Sequence, residues 1–232
     1  MLAFARLPGQ PKVHTSMMIF YDGLEKEAKK FLEPVVALDS FMNQTAMKSY
    51  TKVTDPTPPM NSNHNRVSTT TATLVSHVDA KVIHTLIEDL DAFLNKYGNA
   101  VTPSKVIIEL RSYRISAAID PAATAYRSRA ETIFMMIEAD YDDLVSNEVM
   151  RAEIKAIADK VKAAKKQRDP KSEDAFNFNA TGGVEKVKDA YGDNYPRLRE
   201  GSENTIRILY STSGSQFLLL KASIFAAIKL IR

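Results

Sequence analysis

The chain has 232 residues, 44% of them hydrophobic and 25% charged, which is enough apolar material for one sizeable core and too much for disorder throughout. Thirty-one basic against twenty-eight acidic residues leave a formal charge of only +3, so a phosphate-binding surface for nucleic acid is not expected. No cysteine is present, which excludes disulfides, thiolate catalysis, iron–sulfur clusters and cysteine-linked cofactors from this chain.

The opening MLAFARLPGQPKVHT is a short apolar start broken by Arg6 and Pro8. It lacks the apolar core of a secretory signal, and a cytoplasmic location is the default. Without such a signal, the sequons at Asn43 and Asn179 read as chance. Val13 to Tyr21 crowds β-branched, methionine and aromatic residues ahead of Asp22-Gly23 and predicts a strand. From Leu24 to Val36 the period changes. Leu24, Ala28, Phe31, Leu32 and Val35 share one helical face, and Glu25 and Lys29 form a favourable pair one turn apart. Asp39 to Asn65, rich in Pro, Asn, Ser and Thr and carrying Asp55-Pro56-Thr57-Pro58-Pro59, is expected to be a long surface excursion.

Arg66 to Leu74 sets Val67, Thr69, Thr71 and Thr73 on one side of a predicted strand. Asp79 to Tyr97 predicts the clearest helix, with a stripe of Val82, Ile83, Leu86, Leu90, Phe93, Leu94 and Tyr97 and with Gly98 in the place of a left-handed cap. Lys105 to Tyr113 and Thr132 to Ala139 predict two more strands. Met150, Ile154, Ile157, Val161 and Ala164 mark a third helix that Ser146 can cap, with Pro170 beyond its end. Its terminal basic cluster, Lys160 to Lys171, is expected to be a solvated helix end. With a short strand near Phe176 to Asn179, the order fits an α+β fold, a mostly antiparallel sheet with helices packed on one face. The four histidines show no metal-ligand spacing, and there is no glycine-rich phosphate loop. Phe217 to Ile231 is apolar but interrupted by Lys221 and Lys229, and it is shorter than the roughly twenty residues of a membrane span.

Three segments, IFYDGLEKEAKKFLEPV from Ile19, IELRSY from Ile108 and VKDAYGDNYPRLRE from Val187, resemble the berberine-bridge-enzyme-like FAD-linked oxidoreductases of the PCMH-type flavoprotein superfamily. The likeness runs from Gly9 to Glu200 and is to the substrate-binding domain. It implies flavin-dependent oxidation of a small alcohol, sugar or secondary metabolite: a hydride passes to the flavin and a Tyr or Glu base removes a proton. Such relatives are often secreted. The separate domain that grips FAD in this family has no counterpart here. Weak or absent FAD binding and no activity are therefore expected of the chain alone, with a separately encoded flavin domain or self-association as its protein partnership. The alternative is a non-catalytic α+β module that associates through its exposed sheet face.

On the predicted strand Lys105 to Tyr113, the period of two puts Glu109, Arg111 and Tyr113 on one polar face. The alternation alone favours a solvated face, whereas the resemblance implies a face over the flavin that lines the substrate site. Where the family carries its base in a Tyr-x-Asn-Tyr pattern, this chain has Phe176-Asn177-Phe178-Asn179. Phenylalanine has no proton to exchange, so Asn177 and Asn179 stay as substrate-contact candidates and Tyr113 or Glu109 becomes the substitute base. Asn194, Tyr195 and Arg197 are the family's candidates for contact with the cofactor. A helix cap by Asn194, with Pro196 in the first turn, is the preferred reading of that triplet. After Glu200 the family pattern breaks at Gly201. Suitable codons for Glu203 to Ile208, read in a displaced frame, permit the family's Lys-Tyr-Asp-Pro. Residues 1–200 are accordingly expected to form a partial substrate domain and residues 201–232 an out-of-frame tail.

Overall fold

A computed structural model describes residues 1–52 except 8, 66–125 except 102, 129, 132–172 and 191–203. The strands are β1 (Leu2–Arg6), β2 (Val13–Met17), β3 (Arg66–Val75), β4 (Lys105–Glu109) and β5 (Thr132–Tyr141). The helices are α1 (Glu25–Val36), α2 (Ala80–Tyr97), the single turn α3 (Arg114–Ala117) and α4 (Asn147–Arg168). The strands form one sheet in the order β2-β1-β4-β5-β3, with every neighbouring pair antiparallel. The fold is α+β, as expected.

Alternation along the strands decides which side chains meet the helices. Phe4, Ala72, Leu74, Val106, Ile108, Met135, Ile137 and Ala139 point to one face and join a single buried cluster with Leu86, Leu90 and Leu94 of α2 and Met150, Ile154 and Val161 of α4. Burying a leucine as completely as Leu90, 1% exposed, is worth about 2 kcal/mol. α4 lies along β3 and touches α2. The local signals for both helices hold: Asp79 accepts the Lys81 N–H at 2.8 Å, and the Ser146 hydroxyl accepts the Val149 N–H at 3.3 Å. Arg6 reaches over the same layer to the Asp91 carboxylate at 2.8 Å.

Several expectations change. β1 is a strand in the interior of the sheet, although the sequence reading took its residues only as the start of a failed leader, and it precedes the segment that carries the family likeness. β2 ends at Met17 and not at Tyr21. β4 stops at Glu109 and not at Tyr113: its pairing with β1 ends at Ile108 opposite Leu2, and its pairing with β5 ends at Glu109 opposite Phe134. Gly98 has φ +58° and ψ −135°, a positive-φ conformation that needs glycine but is not the left-handed helical cap. Lys165, in the cluster read as solvated, is 3% exposed and donates to the Thr73 hydroxyl at 2.6 Å. The excursion after Asp39 contains no strand as far as Lys52. Asp55 to Pro59, the segment Phe176 to Asn179 where a short strand is expected, and the tail beyond Glu203 lie outside the described residues.

Candidate functional site

The sheet face turned away from α2 and α4 carries the other half of each strand. The register lines its side chains up in rows. Ser16, Ala3, Ile107, Met136 and Thr71 form one row, and His14, Ala5, Lys105, Glu138 and Thr69 form the next. Glu109, Phe134 and Thr73 make a third at the open end of β4. Ile107, Phe134 and Met136 are half-buried, so this face is an apolar floor with small residues on β1 and threonines on β3. Lys105 stands between acids, paired to Glu138 and 3.8 Å from Asp140. Sequence reasoning passed over this trio. Its signal was available in the spacing of Glu138 and Asp140 along one strand face, but only the register brings Lys105 opposite them.

At the end of β4 the chain leaves the sheet, so Arg111 and Tyr113 do not project from the strand face as the period of two suggested. Arg111 nevertheless brings the three predicted residues together. Its Nε donates to the Tyr113 hydroxyl at 2.9 Å, its guanidinium lies 5.0 Å from the Tyr113 ring centre, and its Nη2 is 3.4 Å from the Glu109 carboxylate. A stacked guanidinium with a bonded phenol and a carboxylate neighbour is a polar cluster that can hold or move a proton. Beside it lies a cleft of about 350 Å³ lined by Ser76, Leu110, Arg111, Ser112, Tyr113, Thr132 and Ile133. The cleft opens to solvent.

The C-terminal triplet sits elsewhere. Asn194 ends a tight turn at Gly192–Asn194 and leads into helical residues 195–203. Its side-chain amide donates to the carbonyls of Pro121 at 2.8 Å and Thr124 at 3.1 Å. Arg197 donates to the Thr124 carbonyl at 3.4 Å. Asn194 and Arg197 therefore fasten helical residues 195–203 to the segment that follows β4 and α3, and that segment continues from the Arg111–Tyr113 cluster. Asn177 and Asn179 lie outside the described residues. Among the described residues no group of three or more His, Asp or Glu side chains is placed to hold a metal, and no helix is long and apolar enough to cross a membrane.

No protein-family model matches the sequence, and no solved structure matches it. Two Aspergillus terreus proteins do, each named FAD-linked oxidoreductase pgmH and each 30% identical to the chain over 208 residues. The chain is a distant homologue of an FAD-linked oxidoreductase. The similarity covers 86% of the chain and supports an FAD-linked oxidoreductase family. It covers 43% of one relative and 42% of the other, so the chain spans less than half the length of the FAD-linked oxidoreductases it matches.

The half-buried Ile107, Phe134 and Met136 give this sheet face apolar side chains of the kind that can lie against a flat aromatic ring such as the flavin's. Toward the rest of FAD the sequence offers no glycine-rich phosphate loop, an element that commonly receives a pyrophosphate.

Proposed function

We propose that the chain is a partial substrate-binding domain of a berberine-bridge-like FAD-linked oxidoreductase, inactive by itself. Its family chemistry would be oxidation of a small alcohol, sugar or secondary metabolite. The observation that carries this reading is the match to 86% of the chain but only 43% of the relative, set beside a sheet with one helix-clad face and an opposite face on which Ile107, Phe134 and Met136 are half-buried. A bound flavin supplies the hydride acceptor. The chain's own part is to close one side of the ring with Ile107, Phe134 and Met136 and to keep water from it. Arg111 orients Tyr113, and Tyr113 or Glu109 takes the proton. Asn177 and Asn179 complete the substrate contacts, while Asn194, Tyr195 and Arg197 hold the C-terminal helix where a cofactor-bearing domain meets it. A cytoplasmic location goes with this reading, as does an ending at residues 201–232 translated out of frame.

Titration of the purified chain with FAD tests the first half of the proposal. The expected outcome is no saturable change in flavin fluorescence, with binding restored when the chain replaces the matched segment of the Aspergillus terreus relative. A purified chain that already shows flavin absorbance, near roughly 450 nm by the cofactor's own chemistry, would overturn it.

A second reading, a non-catalytic module that associates with itself or with a separate flavin domain, draws support from the exposed apolar residues between Met17 and Met47. Concentration-dependent self-association together with no gain of flavin in the chimera would favour it.

A further inference from the structure

Between Met17 and Met47 the chain leaves most of its large apolar side chains bare. Phe20 is 58% exposed, Leu24 70%, Phe31 63% and Phe41 72%, and in α1 only Leu32 is buried. Unlike α2 and α4, α1 makes no substantial contact with the sheet or with another helix among the described residues. Side chains of the segment nonetheless pack on one another. The Tyr21 ring packs 5.4 Å from that of Phe31, and Gly23 permits that fold-back because a Cβ there would stand 2.5 Å from the Tyr21 ring. Glu25 and Lys29 pair at 2.6 Å on the polar side of the helix. Monomeric proteins seldom leave contiguous apolar surface of more than a few hundred Å² uncovered.

We propose that α1, with Phe20 and Leu24 ahead of it, is the docking surface for the flavin-binding portion of an FAD-linked oxidoreductase, so that a helix as well as the sheet face joins the two parts. The proposal rests on the reading given under Proposed function. More than half the length of the Aspergillus terreus relative lies outside the match, and that length is what can cover this face. The charge on α1 points the same way. Lys26, Lys29 and Lys30 are balanced by Glu25, Glu27 and Glu33, so the helix offers no basic face to draw it to anionic lipid. A neutral polar side around an apolar stripe suits a protein partner.

The absence of cysteine allows a direct test, in which Leu24→Cys and Phe31→Cys each introduce a single thiol for maleimide labelling. Both thiols should react freely in the isolated chain. In a chimera in which this chain replaces the matched segment of the relative, labelling should slow by about tenfold or more. Leu144→Cys, at an 86% exposed position in the β5–α4 connection, serves as control and should label equally in both.

Flavin absorbance of the chimera reports separately on the underlying functional reading. Protected thiols without flavin would sink that reading and keep the docking surface, whereas bound flavin with fully reactive thiols would sink the docking surface. If the chimera does not accumulate, the isolated cysteine variants titrated with the relative's unmatched portion give the same decision: protection supports the proposal and none overturns it. Protection that grows with the chain's own concentration, or on adding phosphatidylserine vesicles, overturns it in favour of a second copy or a lipid surface.

Discussion

The ammonium group of Lys165, buried near the end of α4, donates a 2.6 Å hydrogen bond to the hydroxyl of Thr73 on the edge strand β3. A charged side chain thereby ties a helix to the margin of the sheet. Thr73→Val keeps the shape and removes the acceptor, which should lower stability by about 1–3 kcal/mol because a buried cation loses one of its partners. Urea denaturation of the variant and the parent chain measures it. A change below a few tenths of a kcal/mol would show that the bond carries little.

Asn194 performs a comparable fastening task for residues 195–203. Asn194→Ala deletes the donor to Pro121 and Thr124 and should cost about 1–2 kcal/mol. The expected signature is local: faster proteolysis and hydrogen exchange in 195–203 and 121–125, with α2 and α4 unaffected. Uniform loosening of the whole chain would contradict a purely fastening role.

Arg111 is central to the candidate site, since it touches both Glu109 and Tyr113. In the flavin-bearing chimera, Tyr113→Phe should reduce turnover by about a hundredfold if the phenol is the base. Arg111→Ala should reduce it as well and shift its pH profile. Leu110→Ala, on the lining of the same cleft, should act mainly on KM. Unchanged turnover in Tyr113→Phe would move the base to Glu109 or elsewhere.

The core offers a contrast between two leucines. Leu90 is 1% exposed and Leu144 86% exposed. Leu90→Ala should cost about 2–5 kcal/mol, whereas Leu144→Ala should stay within about 0.5 kcal/mol. Thermal melting separates them, and equal effects would show that the cluster between α2 and α4 is not the stabilising core.

The pair Lys96–Glu153 joins α2 to α4 at 2.7 Å. The hydrogen bond to Glu153, and then that to Tyr97, hold the lysine above its ordinary value of 10.5. The folded state therefore keeps this proton more tightly than the unfolded chain does. The contribution is fully present below the ordinary lysine range and is lost as pH climbs through the raised value. Lys96→Met should accordingly melt lower than the parent near neutrality, with the gap narrowing in strong alkali. A gap that widens with pH would reverse the sign.

Where a signal was local, the sequence alone carried it. The stripe from Val82 to Tyr97 with Asp79 at its head, and Ser146 ahead of Met150, are each complete within a few turns of helix. Where the deciding term came from a distant strand, the sequence reading failed. The end of β4 at Glu109 is set by its ladder to β5, whose Phe134 stands opposite, and not by its own alternation. β1 itself is five residues long, with too little pattern to stand out. Lys165 looked like surface because nothing near it in sequence reveals Thr73. At the candidate site, Glu109, Arg111 and Tyr113 do meet, but for a reason the alternation did not contain: the chain bends out of the sheet and Arg111 folds back. Lys105, Glu138 and Asp140 became a group only through the register.

The placement of β1 also bears on how the chain reaches its native state. A strand that ends up flanked on both sides leaves the ribosome long before its second neighbour, since Ala5 pairs with Lys105, one hundred positions later. Until β4 arrives, the β1–β2 ribbon presents an unpaired backbone edge beside the oily segment around Phe20 and Phe31, which makes slow, non-local assembly the step at which nascent molecules are most easily lost to aggregation.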